Sequence, residues 1–145
     1  MLRQVAMGLV LVFACVTVHA SGLLLLRRWL QRAFRSIQEH ETFLRDIGFL
    51  LRAFVVVMGL HTAQCVFWAL FYRMSGCFSG FETSLYFSLV SYTTVGYGDL
   101  TLPQKWRLFG GIEPMIGVLM FGWSAGFLWT VITAYYDLAS KNRPS

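Results

Sequence analysis

The sequence predicts an all-α membrane protein with three transmembrane helices, plus a short re-entrant helix that leads into a glycine-containing loop. Three observations carry this expectation. The 145 residues are 57% hydrophobic, 17% aromatic and only 13% charged, far from the balance of a soluble domain. Three apolar segments are each long enough to cross a hydrocarbon core roughly 30 Å thick, which takes about 20 residues of helix. A fourth apolar stretch, Phe81 to Tyr92, falls short, because its roughly 12 residues rise only about 18 Å.

The first segment, Val5 to Leu26, is expected as an N-terminal transmembrane helix within residues 1–26. Val18, His19 and Ala20 resemble a signal-peptidase site, yet cleavage there would leave the following basic cluster outside, against the positive-inside rule. An uncleaved helix is therefore expected, with the N terminus outside, the 27–46 link cytoplasmic and the 137–145 tail, with Lys141 and Arg143, cytoplasmic. The net charge of +5 is concentrated in this link, at Arg27, Arg28, Arg32 and Arg35. That placement points to a membrane flank and not to nucleic acid, with the bilayer as partner and anionic lipid as a candidate for the four arginines. Leu26, Leu30, Phe34 and Ile37 recur at helical spacing opposite several of these arginines, so the link is expected to be amphipathic and to lie on the inner leaflet, a solvated flank being the plainer alternative.

The second segment gives an outer helix over 47–72. Ser79 and Glu82 then have the spacing of a capping box, so a helix is expected over 80–92 that dips into the membrane and points its C-terminal end at the bilayer centre. That end carries partial negative charge and favours a cation in front of it. Non-helical backbone follows over 93–99, and at membrane depth such backbone must be buried in protein or line water. Gly96 and Gly98 take left-handed angles at little cost, so successive carbonyls can turn to one side. The carbonyls of Thr94, Val95, Gly96 and Tyr97, with the Thr94 hydroxyl, would then replace the water shell of a monovalent cation. One chain cannot enclose an ion, so closure requires a homo-oligomer.

The third segment is an inner helix over 106–136 that contains Glu113, an ionisable group for which a partner is needed. His61 lies at about equal depth by residue count, and Tyr86 or Ser91 on the short helix are the other candidates; alternatively the helix starts after Pro114 and leaves Glu113 in a wet outer loop. Gly117, Gly122 and Gly126 suggest close helix packing in preference to a hinge. His19 and His61 are expected as neutral packing side chains, with proton sensing as the sharper alternative. Cys15 and Cys65 fall in spans and only Cys77 near the outer face, so no disulfide framework is indicated, and nothing suggests an enzyme.

The run Thr94, Val95, Gly96, Tyr97, Gly98, Asp99 resembles the TVGYGD selectivity-filter signature of potassium channels, and helix, re-entrant helix, filter and helix is their pore module. The likeness covers roughly residues 47–136 and is similar to the compact bacterial two-helix pores, here with one extra helix in front. It implies a tetrameric pore in a bacterial plasma membrane, passive potassium transport without a cofactor, and potassium ions held at Thr94, Val95, Gly96, Tyr97 and Gly98. It also implies Thr93 and Asp99 as filter support, joined by Glu113, and Val118, Phe121 and Ala125 as cavity lining. Val90 stands where some members carry a buttressing carboxylate, and Tyr86 and Phe87 stand where relatives often have tryptophans. The alternative from another class is a pore-like subunit that conducts poorly and modulates partners. No voltage sensor is expected, because residues 5–26 lack regularly spaced arginines, and the tail is too short for a ligand-binding domain.

Overall fold

Long apolar runs make long helices even across interior glycines and Pro114, and the computed structural model of the protein, which describes residues 2–36 and 43–141, is built almost wholly from them. In chain order these are α1 (Leu2–Ser36), α2 (Phe43–Met74), the short α3 (Phe81–Tyr92), a 3-10 turn (Gln104–Trp106) and α4 (Phe109–Lys141). Three segments are long and apolar enough to cross a membrane: Gln4–Arg32, Ile47–Met74 and Gln104–Asp137.

The three long helices share two stacked cores. The outer one is largely aromatic and gathers Leu11 and Cys15 from α1, Trp68 and Tyr72 from α2, Phe87 and Tyr92 from α3, and Phe109, Ile116 and Met120 from α4. Its rings are tightly set, with Phe71 4.9 Å and Trp106 5.4 Å from Phe109 between centroids. The inner core is mostly aliphatic: Leu23, Leu26 and Leu30 from α1, Phe49, Ala53 and Val57 from α2, Val131 and Tyr135 from α4. No residue of α3 belongs to it, as expected for a helix that reaches only partway. In lipid, where apolar burial drives association weakly, small residues let helices approach. Gly22 is such a point, since a Cβ there would lie 2.3 Å from the Leu60 side chain.

Several expectations need correction. α1 does not end at Leu26 but continues to Ser36, because no glycine or proline lies between Leu26 and Ser36, and Leu26 and Leu30 pack into the inner core. They do not form the apolar face of a separate surface helix. Residues 37–42 of the link, including Ile37, the side chains of Phe34 and Arg35, and tail residues 142–145 lie outside the described residues. The capping box at Ser79 and Glu82 is absent: Gly80 is the N-cap with extended backbone and no side-chain cap bond. The helix thus begins one residue later, which puts Glu82 one position too early to reach back. α2 extends beyond the expected 47–72 at both ends, and α4 starts at Phe109, ahead of Pro114, so Glu113 is helical.

Candidate functional site

The loop after α3 is the most unusual backbone in the chain. Positive φ recurs at every second position, Thr94 (+63°), Gly96 (+55°) and Gly98 (+78°). For the two glycines this costs little. Thr94 is β-branched, and holding it there costs on the order of 1–3 kcal/mol, sustained only where the surroundings over-determine the chain. Sequence reasoning anticipated the glycines and missed Thr94, for which residue type gives no signal. Backbone that alternates in hand turns successive carbonyls to one side, whereas an ordinary strand sends them to opposite sides. Thr93 to Asp99 is exposed on the single chain, with Val95 52% and Tyr97 72% accessible.

The loop is tied at both ends. At its start, Thr93 N–H donates to the Leu89 carbonyl, Thr94 N–H to the Ser91 carbonyl at 2.9 Å, and Gly96 N–H to the Val90 carbonyl at 3.2 Å. The Thr93 hydroxyl also donates to the Leu89 carbonyl at 2.6 Å. At its far end, the Tyr86 hydroxyl donates to Asp99 Oδ2 at 2.8 Å, linking α3 to the end of the loop.

Behind α3 lies the acid. Glu113 is fully buried and accepts from the Tyr72 hydroxyl at Oε2 (2.7 Å) and pairs with the Ser88 hydroxyl at Oε1 (2.5 Å). The same Ser88 hydroxyl donates to the Cys65 carbonyl at 2.9 Å. The carboxyl therefore joins α2, α3 and α4. The wet-loop alternative is thereby excluded, and so are the partners expected from the sequence. His61 lies about three and a half turns below Met74, whereas Glu113 is only about one turn into α4, so the two are at different depths. Ser88 and Tyr72 were not anticipated; the available signal was a hydroxyl within an apolar helix and a tyrosine near a helix end.

Below the loop, α4 passes very close to the end of α3. A Cβ on Gly117 would lie 2.0 Å from the Tyr92 carbonyl oxygen, so only glycine fits. Gly122 and Gly126 meet nothing within 4 Å, so close packing within the chain is the role of Gly117 alone among the three. Of the residues expected to line a cavity, Val118 and Ala125 are exposed on α4, and Phe121 leans on the His61 ring at 4.5 Å and on Tyr92 at 5.5 Å.

A family model described as an ion channel matches residues 50–134, more than half of the chain. The chain belongs to this ion-channel family. It is an integral membrane protein that carries ions through a channel, and the family is one of channels and not of enzymes. The matched region of the channel runs from α2 through α3 and the loop to α4, leaving α1 outside it. No curated protein and no solved structure matches the chain.

Proposed function

We propose that the protein is a potassium-selective channel that conducts passively as a homotetramer, with the backbone of Thr94 to Gly98 as its selectivity filter. The observation that carries this reading is the alternating left-handed backbone at Thr94, Gly96 and Gly98, in an exposed loop that directly follows a short half-depth helix. Potassium is the substrate: four copies around one axis would offer rings of carbonyls in place of its hydration shell. Thr93 and Asp99 anchor the loop, Glu113 braces α3 from behind, and Val118, Phe121 and Ala125 are assigned to the cavity below. The N terminus is assigned to the outside and the C terminus to the cytoplasm of a bacterial plasma membrane, since Arg27, Arg28 and Arg32 sit exposed at one end of α1. Anionic lipid is the proposed partner of that end, together with Arg35. A groove of about 670 Å³ beside it, lined by Leu25, Trp29, Leu51, Arg52 and Val55, suits an acyl chain beneath an anionic headgroup.

The test is potassium flux from liposomes holding the purified protein, against sodium and against Gly96→Ala. Potassium-selective flux lost in the variant is expected, because a Cβ at φ +55° costs about 1–2 kcal/mol in each subunit and disturbs the carbonyl rings. Flux unchanged in Gly96→Ala would overturn the filter assignment. Well-assembled protein that passes no potassium would favour the non-conducting subunit.

A further inference from the structure

Between the two cores, at the level where α3 ends, five buried polar side chains from all four helices meet. They are His19 on α1, His61 and Gln64 on α2, Tyr92 on α3 and Ser124 on α4, each no more than 5% exposed. Their contacts form a closed circuit. Gln64 Nε2 lies 2.8 Å from His19 Nδ1, His19 Nε2 lies 2.9 Å from Ser124 Oγ, and Ser124 Oγ lies 3.1 Å from His61 Nε2. His61 Nδ1 then lies 3.0 Å from the Tyr92 hydroxyl, which donates to Gln64 Oε1 at 3.0 Å.

With the Gln64 amide turned as the structure has it, proton counting fixes the direction of every bond. The Gln64 amide nitrogen can only donate, so His19 Nδ1 is bare and its proton sits on Nε2, which donates to Ser124. The Tyr92 proton is committed to Gln64, so His61 Nδ1 must carry a proton and donate to Tyr92; its Nε2 is then bare and accepts from Ser124. Each of the five side chains donates once and accepts once within the circuit. A proton added to His19 Nδ1 would face the Gln64 amide hydrogens, and one added to His61 Nε2 would face a serine that already accepts from His19. The other titratable groups packed nearby are Cys15 on α1, Cys65 and Tyr72 on α2 and Glu113 on α4, and the Glu113 carboxyl bonds Tyr72 and Ser88, not the circuit. Among the described residues, no carboxylate bonds either imidazole.

Tyr92 is the last residue of α3 and immediately precedes Thr93 and the strained Thr94. Its carbonyl is held against Gly117 and its hydroxyl is held by the circuit, so the foot of the loop is fixed from both sides.

We propose that His19 and His61 are positioning residues of the filter, held as neutral imidazoles of opposite tautomer in a one-way hydrogen-bond ring that locks Tyr92, and through it Thr94, to α1, α2 and α4. This rests on the filter assignment above, and it makes α1, which lies outside the matched channel region, part of the pore's positioning apparatus. Cooperative rings of this kind in low dielectric specify a single arrangement when every member is satisfied.

The test uses the full-length protein in lipid bilayers with ¹⁵N-labelled histidine and ¹³C-labelled filter carbonyls, read by solid-state NMR at neutral pH. Expected are one bare and one protonated nitrogen on each ring, with the proton on Nε2 for His19 and on Nδ1 for His61. Two rings of the same tautomer, or either ring doubly protonated, would overturn the proposal. Ser124→Ala should remove the fixed tautomers and shift the Gly96 and Tyr97 carbonyl signals, and Ser124→Thr, which keeps a hydroxyl, should restore both. Filter signals unmoved in Ser124→Ala, with the ring signals lost, would show a merely structural ring and sink the positioning role. None of these readouts needs conduction, so a failure of potassium flux with the expected tautomers would count against the channel reading alone.

Discussion

The chain buries two polar clusters of different character about three turns apart along α4. Around Glu113, one carboxyl meets the Tyr72 and Ser88 hydroxyls, and Ser88 must also serve the Cys65 carbonyl. Ser88 has one proton to share between two acceptors, Glu113 Oε1 and the Cys65 carbonyl, so this cluster is one donor short. Around His19 and His61, donors and acceptors are already equal in number and the ring closes with neutral groups. The difference teaches that one cluster is complete in hydrogen bonds and the other is not, which matters where an unmet polar group costs about 1–3 kcal/mol.

The largest expected effect comes from emptying the acid cluster. Glu113→Ala should lower stability by about 3–5 kcal/mol, since it leaves the Tyr72 hydroxyl unmet and opens a cavity among large rings. Glu113→Gln should stay within about 1 kcal/mol of the wild type, because its amide donates to Ser88 and its carbonyl accepts from Tyr72. Thermal unfolding in detergent separates the two, and a glutamine variant as damaged as the alanine would mean that the buried group acts as an anion.

Next comes the contact that brings α4 to the ring. Gly117→Ala should cost about 3 kcal/mol, because the methyl meets a backbone carbonyl that has nowhere to go. Gly122→Ala, with open space around it, should be neutral or stabilise by up to about 1 kcal/mol through helix propensity. Equal melting temperatures for the two variants would contradict the close approach at Tyr92.

The two tyrosines sharpen the contrast further. Tyr72→Phe and Tyr92→Phe should each cost about 2 kcal/mol, each leaving buried partners unmet. Only Tyr92→Phe should disturb the histidine ¹⁵N signals; a disturbance from Tyr72→Phe would mean that the clusters are one network. The smallest effect belongs to Tyr86→Phe, which removes an exposed, solvent-screened bond to Asp99 and should leave the melting temperature unchanged, showing only as faster loss of flux during sustained conduction.

Much of the fold was legible before any coordinates. Segment length and hydropathy placed the three spans, and the short apolar run after Gly80 was placed as a half-depth helix to within a residue, because these are local quantities. The loop was legible in its glycines, which declare their backbone freedom by residue type. Thr94 was not legible, since nothing about a threonine announces φ +63°; the surrounding fold imposes it. Glu113 was recognised as needing a partner, but the partner was misplaced, because depth counted along two helices carries the error of both of their ends.

From residue order alone came the number and length of the membrane helices, the re-entrant segment, the glycine alternation and an acid in an apolar segment that called for a partner. Each follows from the chemistry of neighbours in the chain. Only the tertiary structure decided that Glu113 meets Tyr72 and Ser88, that Gly117 yields to Tyr92, and that His19 and His61, 42 positions apart in one sequence, belong to one ring with Ser124. Those choices depend on the rotation and axial shift of whole helices against one another. A shift of one residue, about 1.5 Å, is enough to exchange one hydrogen-bond partner for another.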